Sequence, residues 1–149
     1  MNISVDIAIN GTKEDIWNVI TDIDNAVHNI SAIEEIEVLE RPAEGLVGLK
    51  WRETRTLFGK SATEVMWITD VKENEYYKTR AENHGAVYIS TLLVSGVGSQ
   101  SKLTMNFSGE TQGFVAKLMA VTFGMLFKSA TVKALKKDLE DIKAVVEAK

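Results

Sequence analysis

The sequence contains no cysteine among its 149 residues. The chain can therefore form no disulfide, no cysteine-ligated zinc or iron–sulfur site and no thiolate nucleophile. A chain of this length can instead bury a hydrophobic core large enough to stabilise a domain, and we assign a single domain to residues 1–149. The lack of disulfides is typical of a reducing compartment, so we expect a cytoplasmic location.

Positive charge, long apolar runs and histidine are also scarce. The chain has 17 Lys and Arg against 21 Asp and Glu, a formal net charge of -4, so we expect no nucleic-acid partner. No apolar run approaches the ~20 residues of a membrane-spanning helix, and the N-terminus does not have the pattern of a signal peptide, so we expect a soluble protein without stable membrane insertion. His28 and His84 lie far apart, so we expect neither a metal site nor a cofactor.

Two periodicities are present at the start of the chain. Residues 3–9 alternate apolar and polar side chains, which predicts a strand with one buried face. Thr12 then stands three residues before Asp15, a capping-box pattern that predicts a short helix ending near Ile20. A second short helical segment is predicted over residues 23–30, although its Asp and Asn residues are also compatible with turns.

The middle of the chain has the alternation and turn residues of an antiparallel sheet. Its only proline, Pro42, falls in the longest connection between two predicted strands, where it interrupts no ladder. Short loops containing glycine or asparagine separate the other strands, which predicts antiparallel neighbours. The predicted strands cover residues 33–40, 47–57, 61–72, 75–82, 86–95 and 101–110.

After Gly113 the apolar period changes to 3.6 residues, which predicts one long C-terminal helix over residues 114–147. Such a helix would extend ~50 Å, longer than the strands, so we expect a break or bend at Gly124. The charged residues of the sheet concentrate on one face, and a sheet with one solvated face needs a single cover. We therefore predict an α+β fold in which this helix covers the sheet.

The hairpin turns predict which face of the sheet is buried, because directly opposed residues of an antiparallel pair point the same way. Turns centred on Gly59 and on residues 83–85 place odd-numbered residues opposite each other, for example Trp51 opposite Trp67. We therefore predict an odd-numbered core face. Five apolar residues on the even-numbered face remain unexplained, namely Met66, Ile68, Tyr88, Leu92 and Val94.

The predicted core face also carries polar side chains that are costly to bury without partners. These side chains either surround an amphipathic ligand cavity, or Glu53 and Arg55 form an ion pair at the rim. Glu53 is a candidate catalytic acid or base, and Tyr77 a candidate hydrogen-bond donor and second catalytic candidate. Arg55 could anchor a carboxylate or phosphate of a ligand. The polar residues on this face are Glu53, Arg55, Thr63, Tyr77, Thr79 and Thr91.

The first half of the C-terminal helix is apolar nearly all round, which one buried side cannot explain. Some of its residues should face a cavity, a membrane surface or a partner subunit, and a homodimer contact is one interpretation. Met and Phe, which adapt to irregular ligand surfaces, are frequent here. The predicted core face of the sheet and this helix together supply the candidate ligand-binding residues. They are Trp51, Glu53, Arg55, Thr63, Val65, Trp67, Tyr77, Thr79, Ile89, Thr91, Met105, Phe107, Leu118, Met119, Thr122, Phe123 and Leu126.

The whole chain resembles the START-like, helix-grip (SRPBCC) superfamily, and in particular its polyketide cyclase/dehydrase and lipid-transport branch. The resemblance is carried by the opening strand and helix with Trp17, by the glycine-initiated basic strand at residues 48–55, and by the closing helix at residues 138–147. It implies a seven-stranded curved antiparallel sheet wrapped on the long C-terminal helix, with two short helices between strands 1 and 2. It also implies a cavity between sheet and helix.

Three functions follow as hypotheses. The first is binding of a hydrophobic or amphipathic small molecule such as a lipid, isoprenoid, polyketide or aromatic metabolite, with transport of that molecule as an extension of binding. The second is a cofactor-independent cyclase or dehydratase that moves protons with Glu53 or Tyr77 in the same cavity. The third is a protein-interaction module with a solid core.

Overall fold

The computed structural model describes residues 2–57, 59–83, 85–111 and 114–148. The side chains of residues 110, 111 and 114–127 lie outside this description, as does His84.

The N-terminal elements follow the sequence pattern closely. Strand β1 spans Asn2–Asn10, and helix α1 spans Lys13–Ile20. The capping box is confirmed: the Thr12 hydroxyl accepts from the Asp15 amide, and the Asp15 carboxylate accepts from the Thr12 amide. The second helical segment divides into a 3₁₀ turn, Ile23–Asn25, and helix α2, Ala26–Asn29.

The remaining strands form one antiparallel sheet with β1. Its strand order is β1-β7-β6-β5-β4-β3-β2, so the first strand lies beside the last and the other strands follow one another as a meander. The predicted α+β class, with seven antiparallel strands and short helices after the first, is confirmed. The strands are β2 (Ile33–Glu40), β3 (Lys50–Leu57), β4 (Lys60–Lys72), β5 (Tyr76–Asn83), β6 (Ala86–Val97) and β7 (Gln100–Thr111).

The predicted hairpin registers are wrong by one residue. Three hairpins have two-residue loops, and in each of them a glycine, Gly59, Gly85 or Gly98, adopts a positive φ. A two-residue loop pairs an odd-numbered residue with an even-numbered one, so the inward-facing positions change parity at these three hairpins. Trp51 thus pairs with Met66 rather than with Trp67. The β4–β5 loop has three residues, and there the register shift between Ile68 and Asp70 changes the parity instead.

This change of parity explains the five apolar residues on the even-numbered face, which was predicted to be exposed to solvent. On β6, Leu92 and Val94 pair with Met105 and Leu103 and are buried. Inward positions are odd-numbered on β3, β5 and β7 and even-numbered on β4 and β6, apart from a register shift between Ile68 and Asp70. All five unexplained residues, Met66, Ile68, Tyr88, Leu92 and Val94, therefore face inward.

Helix α3 spans Phe114–Glu147 as one continuous helix, so a break at Gly124 does not occur, and a bend there stays a prediction. Its C-terminal half covers the inward face of the sheet near β1. There Leu135, Leu139, Ile142 and Val146 recur at three- and four-residue spacing and are buried in the main core. The end of α3 is also tied to β1, because Lys143 Nζ donates to the Ala8 carbonyl and the Asn10 amide donates to Glu147.

The contact between Gly11 and the end of α3 generates a stability prediction. A Cβ atom at Gly11 would lie 2.7 Å from Val146 Cγ1, closer than packed carbon atoms tolerate. We expect Gly11→Ala to lower the free energy of unfolding by about 1–3 kcal/mol, measured by urea denaturation. In Gly11→Ala/Val146→Ala the clash is removed, so the double variant should lose less than the sum of the single variants. Additive losses would contradict this packing.

Candidate ligand cavity

A cavity of about 290 Å³ lies between the inward face of the sheet, the short helices and α3. Its walls are mostly aliphatic and aromatic, and three carboxylates and one guanidinium are also present. A solid interior, which the interaction-module hypothesis requires, is therefore not found. The described lining residues are Val19, Ile20, Ile23, Ala26, Asn29, Ile30, Ile33, Trp51, Glu53, Arg55, Leu57, Ala62, Glu64, Met66, Tyr77, Thr79, Ala81, Tyr88, Ser90, Leu92, Met105, Phe107, Thr131, Ala134, Leu135, Asp138 and Ile142.

The structure brings some of the predicted ligand-binding residues together and separates others. Trp51, Glu53, Arg55, Tyr77, Thr79, Met105 and Phe107 line the cavity. Placing Thr63, Val65, Trp67, Ile89 and Thr91 on this face is wrong, because the two-residue hairpin loops turn them to the opposite face of the sheet. Leu118, Met119, Thr122, Phe123 and Leu126 have side chains outside the described residues.

Several lining residues were missed by the sequence analysis. Met66, Tyr88 and Leu92 were detectable, because large apolar side chains on a supposedly wet face are a sign of wrong register. Tyr88 stacks on Phe107, with ring centroids 5.7 Å apart, across the β6–β7 pair. Asp138 was hidden among the charged residues of the C-terminal helix, although it lies three residues after Leu135 and four before Ile142, and therefore on the buried face of that helix.

Arg55 is the centre of a partly buried charge cluster. Its Nε donates to Glu53 Oε2 at 3.0 Å, and its Nη1 donates to Asp138 Oδ2 at 3.0 Å. The Trp51 indole N–H donates to the other Glu53 oxygen at 3.2 Å. Glu53 and Arg55 thus face the cavity and also pair with each other. The cluster connects β3 to α3 across the interior of the protein.

Asp138 is the most deeply buried carboxylate of this cluster, with a side chain only 3% exposed. Burial raises the pKa of Asp138 above its ordinary value, although the attraction of Arg55 opposes this rise. Its Oδ1 atom is buried and accepts no hydrogen bond from the residues that the structure describes. Buried carboxylate oxygens ordinarily have partners, so this atom is an unsatisfied acceptor in a residue that lines the cavity.

A further carboxylate, Glu64, lies directly opposite Glu53 on the neighbouring strand. Like charges at directly opposed positions of an antiparallel pair destabilise each other. Asn83 Nδ2 donates to Glu64 at 3.2 Å, but no cation among the described residues forms an ion pair with it. The two carboxylates therefore place excess negative charge on the β3–β4 wall of the cavity.

Tyr77 occupies the cavity wall with its hydroxyl already committed. The hydroxyl donates to the Ile20 carbonyl at 2.9 Å, and the ring meets Trp17 edge-on at 6.1 Å between centroids. Burial raises the pKa of Tyr77 strongly, and the charge of Glu53 adds to the effect. A tyrosine held in this way keeps its proton, so its arrangement favours a packing role over acid–base chemistry.

An antiparallel sheet curved around a long C-terminal helix, with a cavity between them, is the helix-grip architecture of START-like proteins. The chain belongs to the polyketide cyclase/dehydrase and lipid transport family, whose sequence model matches residues 1–147. The resemblance stated from the sequence is thereby confirmed. No curated protein sequence matches the chain significantly. The described residues contain no helix long and apolar enough to cross a membrane.

Solved structures share this fold at low sequence identity. A START superfamily protein from Mycobacterium smegmatis is 15% identical, with a TM-score of 0.82 over 99% of this chain and 97% of that chain. The ZhuI aromatase/cyclase from Streptomyces sp. R1128 is 15% identical, with a TM-score of 0.78 over 99% and 93%. Norcoclaurine synthase from Thalictrum flavum is 16% identical, with a TM-score of 0.73 over 99% and 94%. At these identities the similarity establishes the fold alone.

The buried carboxylate of Asp138 predicts an unusual dependence of stability on pH. Because its folded-state pKa is raised above 3.8, protonated Asp138 favours folding, and this contribution is lost as pH rises through the raised pKa. Asn cannot ionise, so Asp138→Asn should become more stable relative to the wild type as pH increases from about 3 to about 8. Urea denaturation across this range measures the difference.

Asp141, one turn further along α3 from Lys137, provides the matched control. Despite partial burial, hydrogen bonds from Lys137 and from the Ser31 amide and hydroxyl hold the pKa of Asp141 below its ordinary value. Its stabilisation is present above pH 3.8 and is lost as pH falls, so Asp141→Asn should show the opposite trend. Parallel trends in the two variants would contradict the assignment for Asp138.

Proposed function

We propose that the protein binds a hydrophobic or amphipathic small molecule in the cavity between the sheet and α3. The observation that carries this proposal is the cavity itself, about 290 Å³ in volume and lined mainly by apolar side chains with a smaller number of polar groups. Apolar walls with a small number of convergent polar groups are typical of small-molecule sites. Family membership supports the same function, because the family includes lipid transport.

The volume indicates a compact ligand. It lies near the lower end of the roughly 300–1,000 Å³ that small-molecule sites usually have, so a molecule of one or two rings fits better than a long-chain lipid. Tyr88 and Phe107 form a stacked aromatic wall, and Met66 and Met105 provide adaptable apolar surface. We therefore favour an aromatic or isoprenoid-sized ligand with one polar end.

Two neighbouring residues of β6 allow a matched test of the cavity. Ser90 lines the cavity, whereas the side chain of Thr91 lies on the opposite face of the sheet. Ser90→Phe should fill the cavity and abolish binding of the neutral fluorescent probe N-phenyl-1-naphthylamine. Thr91→Phe adds a similar volume outside and should bind the probe like the wild type. Circular dichroism shows whether both variants remain folded, and equal probe binding by the two folded variants would refute the proposed site.

Three further expectations from the sequence, on location, partners and oligomeric state, belong to this proposal. They are a cytoplasmic location, the absence of a nucleic-acid partner, and a homodimer contact as one of the interpretations of the apolar segment at residues 114–127. Sedimentation equilibrium of the purified protein decides the oligomeric state. The negative formal charge of the chain supports the second expectation.

A second candidate function is proton-transfer catalysis in the same cavity, as in a cyclase or dehydratase. The observation that favours it is Asp138, because a carboxyl group whose pKa is raised by burial is better suited to exchange protons near neutral pH. In this mechanism Asp138, rather than Tyr77, is the acid or base, because the Tyr77 hydroxyl already donates to the Ile20 carbonyl. Glu53 remains available as a positioning group through Arg55.

Hydrogen exchange at an activated carbon tests this second candidate directly. A small β-diketone such as benzoylacetone exchanges its central protons for deuterium in D₂O, and NMR follows the rate. If Asp138 transfers protons, the wild type should accelerate exchange and Asp138→Asn should lose most of that acceleration, by about 10²-fold or more. No acceleration by the wild type, or equal acceleration by both proteins, would leave binding as the only supported function.

A further inference from the structure

We propose that the cavity discriminates against anionic ligands and accepts a ligand whose polar end is a hydrogen-bond donor, either a cationic amine or a neutral hydroxyl. This inference rests on the proposed binding function and adds the chemical class of the ligand. The specificity-determining groups are Glu64 on one wall of the cavity and Asp138 on another.

Arg55 does not provide a free site for an anion. Two of its guanidinium nitrogens, Nε and Nη2, lie 3.0 Å from Glu53 Oε2, and Nη1 lies 3.0 Å from Asp138 Oδ2. A ligand carboxylate could reach this guanidinium only by displacing one of two charged partners from a poorly solvated position. The sequence-based expectation that Arg55 anchors a carboxylate or phosphate is therefore not supported by this geometry.

Acceptors outnumber cations on the described walls. Three carboxylates, Glu53, Glu64 and Asp138, line the cavity, and Arg55 is the one cation among the described lining residues. Glu53 and Glu64 are directly opposed on adjacent strands, so their charges already repel each other. An entering anion would increase this repulsion in surroundings with little water, whereas an ammonium group would reduce it.

The hydrogen-bonding groups of the site favour the same ligands as its charges do. Asp138 Oδ1 is buried and accepts no hydrogen bond, and Glu64 receives only one, from Asn83, among those the structure describes. A carboxylate or phosphate brings further acceptors and cannot satisfy these oxygens. An N–H or O–H group at the end of an apolar ligand can donate a hydrogen bond to these oxygens, so the site selects for a donor at that end.

A matched set of naphthalene derivatives tests this preference, because they share one ring system and differ only in the polar end. The probes are 1-naphthylmethylamine, 1-naphthylmethanol and 1-naphthoic acid, each used at pH 7.5 to displace N-phenyl-1-naphthylamine. We expect the amine and the alcohol to bind at least about tenfold more tightly than the acid. Binding of the acid as tight as that of the amine would overturn the inference and leave the proposed binding function intact.

Two charge-removing variants separate a local effect from the overall charge of the protein. Glu64→Gln keeps an oxygen that can accept from Asn83, so the wall should remain intact while its charge is lost. Glu82→Gln removes an outward-facing charge that pairs with Arg80. Glu64→Gln should reduce the ratio of amine to acid affinity by about threefold or more, and Glu82→Gln should not change it.

The two proposals fail in distinguishable ways. If both variants change the ratio equally, selection arises from the net charge of the protein rather than from the cavity, and the inference is overturned. If the wild type binds neither the neutral probe nor any naphthalene derivative, the binding function itself fails and the inference fails with it.

Discussion

The arrangement of the interior depends on the ion pairs that the guanidinium of Arg55 forms. The guanidinium connects Glu53 on β3 with Asp138 on α3, two positions far apart in sequence, and Glu53 in turn holds the Trp51 indole. Buried ion pairs add little net stability, but removing one partner leaves an uncompensated charge and is strongly destabilising. The cluster therefore fixes the position of the helix relative to the sheet more than it strengthens the fold.

Much of the fold could be predicted from local patterns. Alternation, the capping box at Thr12 and the change of period after Gly113 place every element close to its observed bounds. The turn residues alone do not determine the register, because a loop of two residues and a loop of three contain the same turn residues but turn opposite faces inward. That single uncertainty moved Trp67 and Thr91 to the wrong face and hid Tyr88. The apolar residues left on the supposedly exposed face were the available sign of the error.

The candidate site was predictable only in part, for a different reason. Residues on the odd-numbered strands, such as Trp51 and Tyr77, were placed correctly because their own parity was right. The spacing of Asp138 from Leu135 and Ile142 indicates the buried face of α3, but its partner could not be predicted, since Arg55 lies on a strand more than 80 residues earlier in the chain. Family membership establishes the cavity-forming architecture, whereas the class of ligand depends on individual polar residues that neither fold nor family determines.

The position of β1 beside β7 has a consequence for how the chain folds. Strands β2 to β7 pair with their neighbours in sequence, but Asn2 pairs with Ser108, so β1 must wait until nearly the whole sheet has been synthesised. Closing so long a loop has an entropic cost that is recovered only when the last ladder forms, and such non-local pairing slows folding. On the ribosome, the N-terminal strand therefore remains unpaired longest, although it is made first.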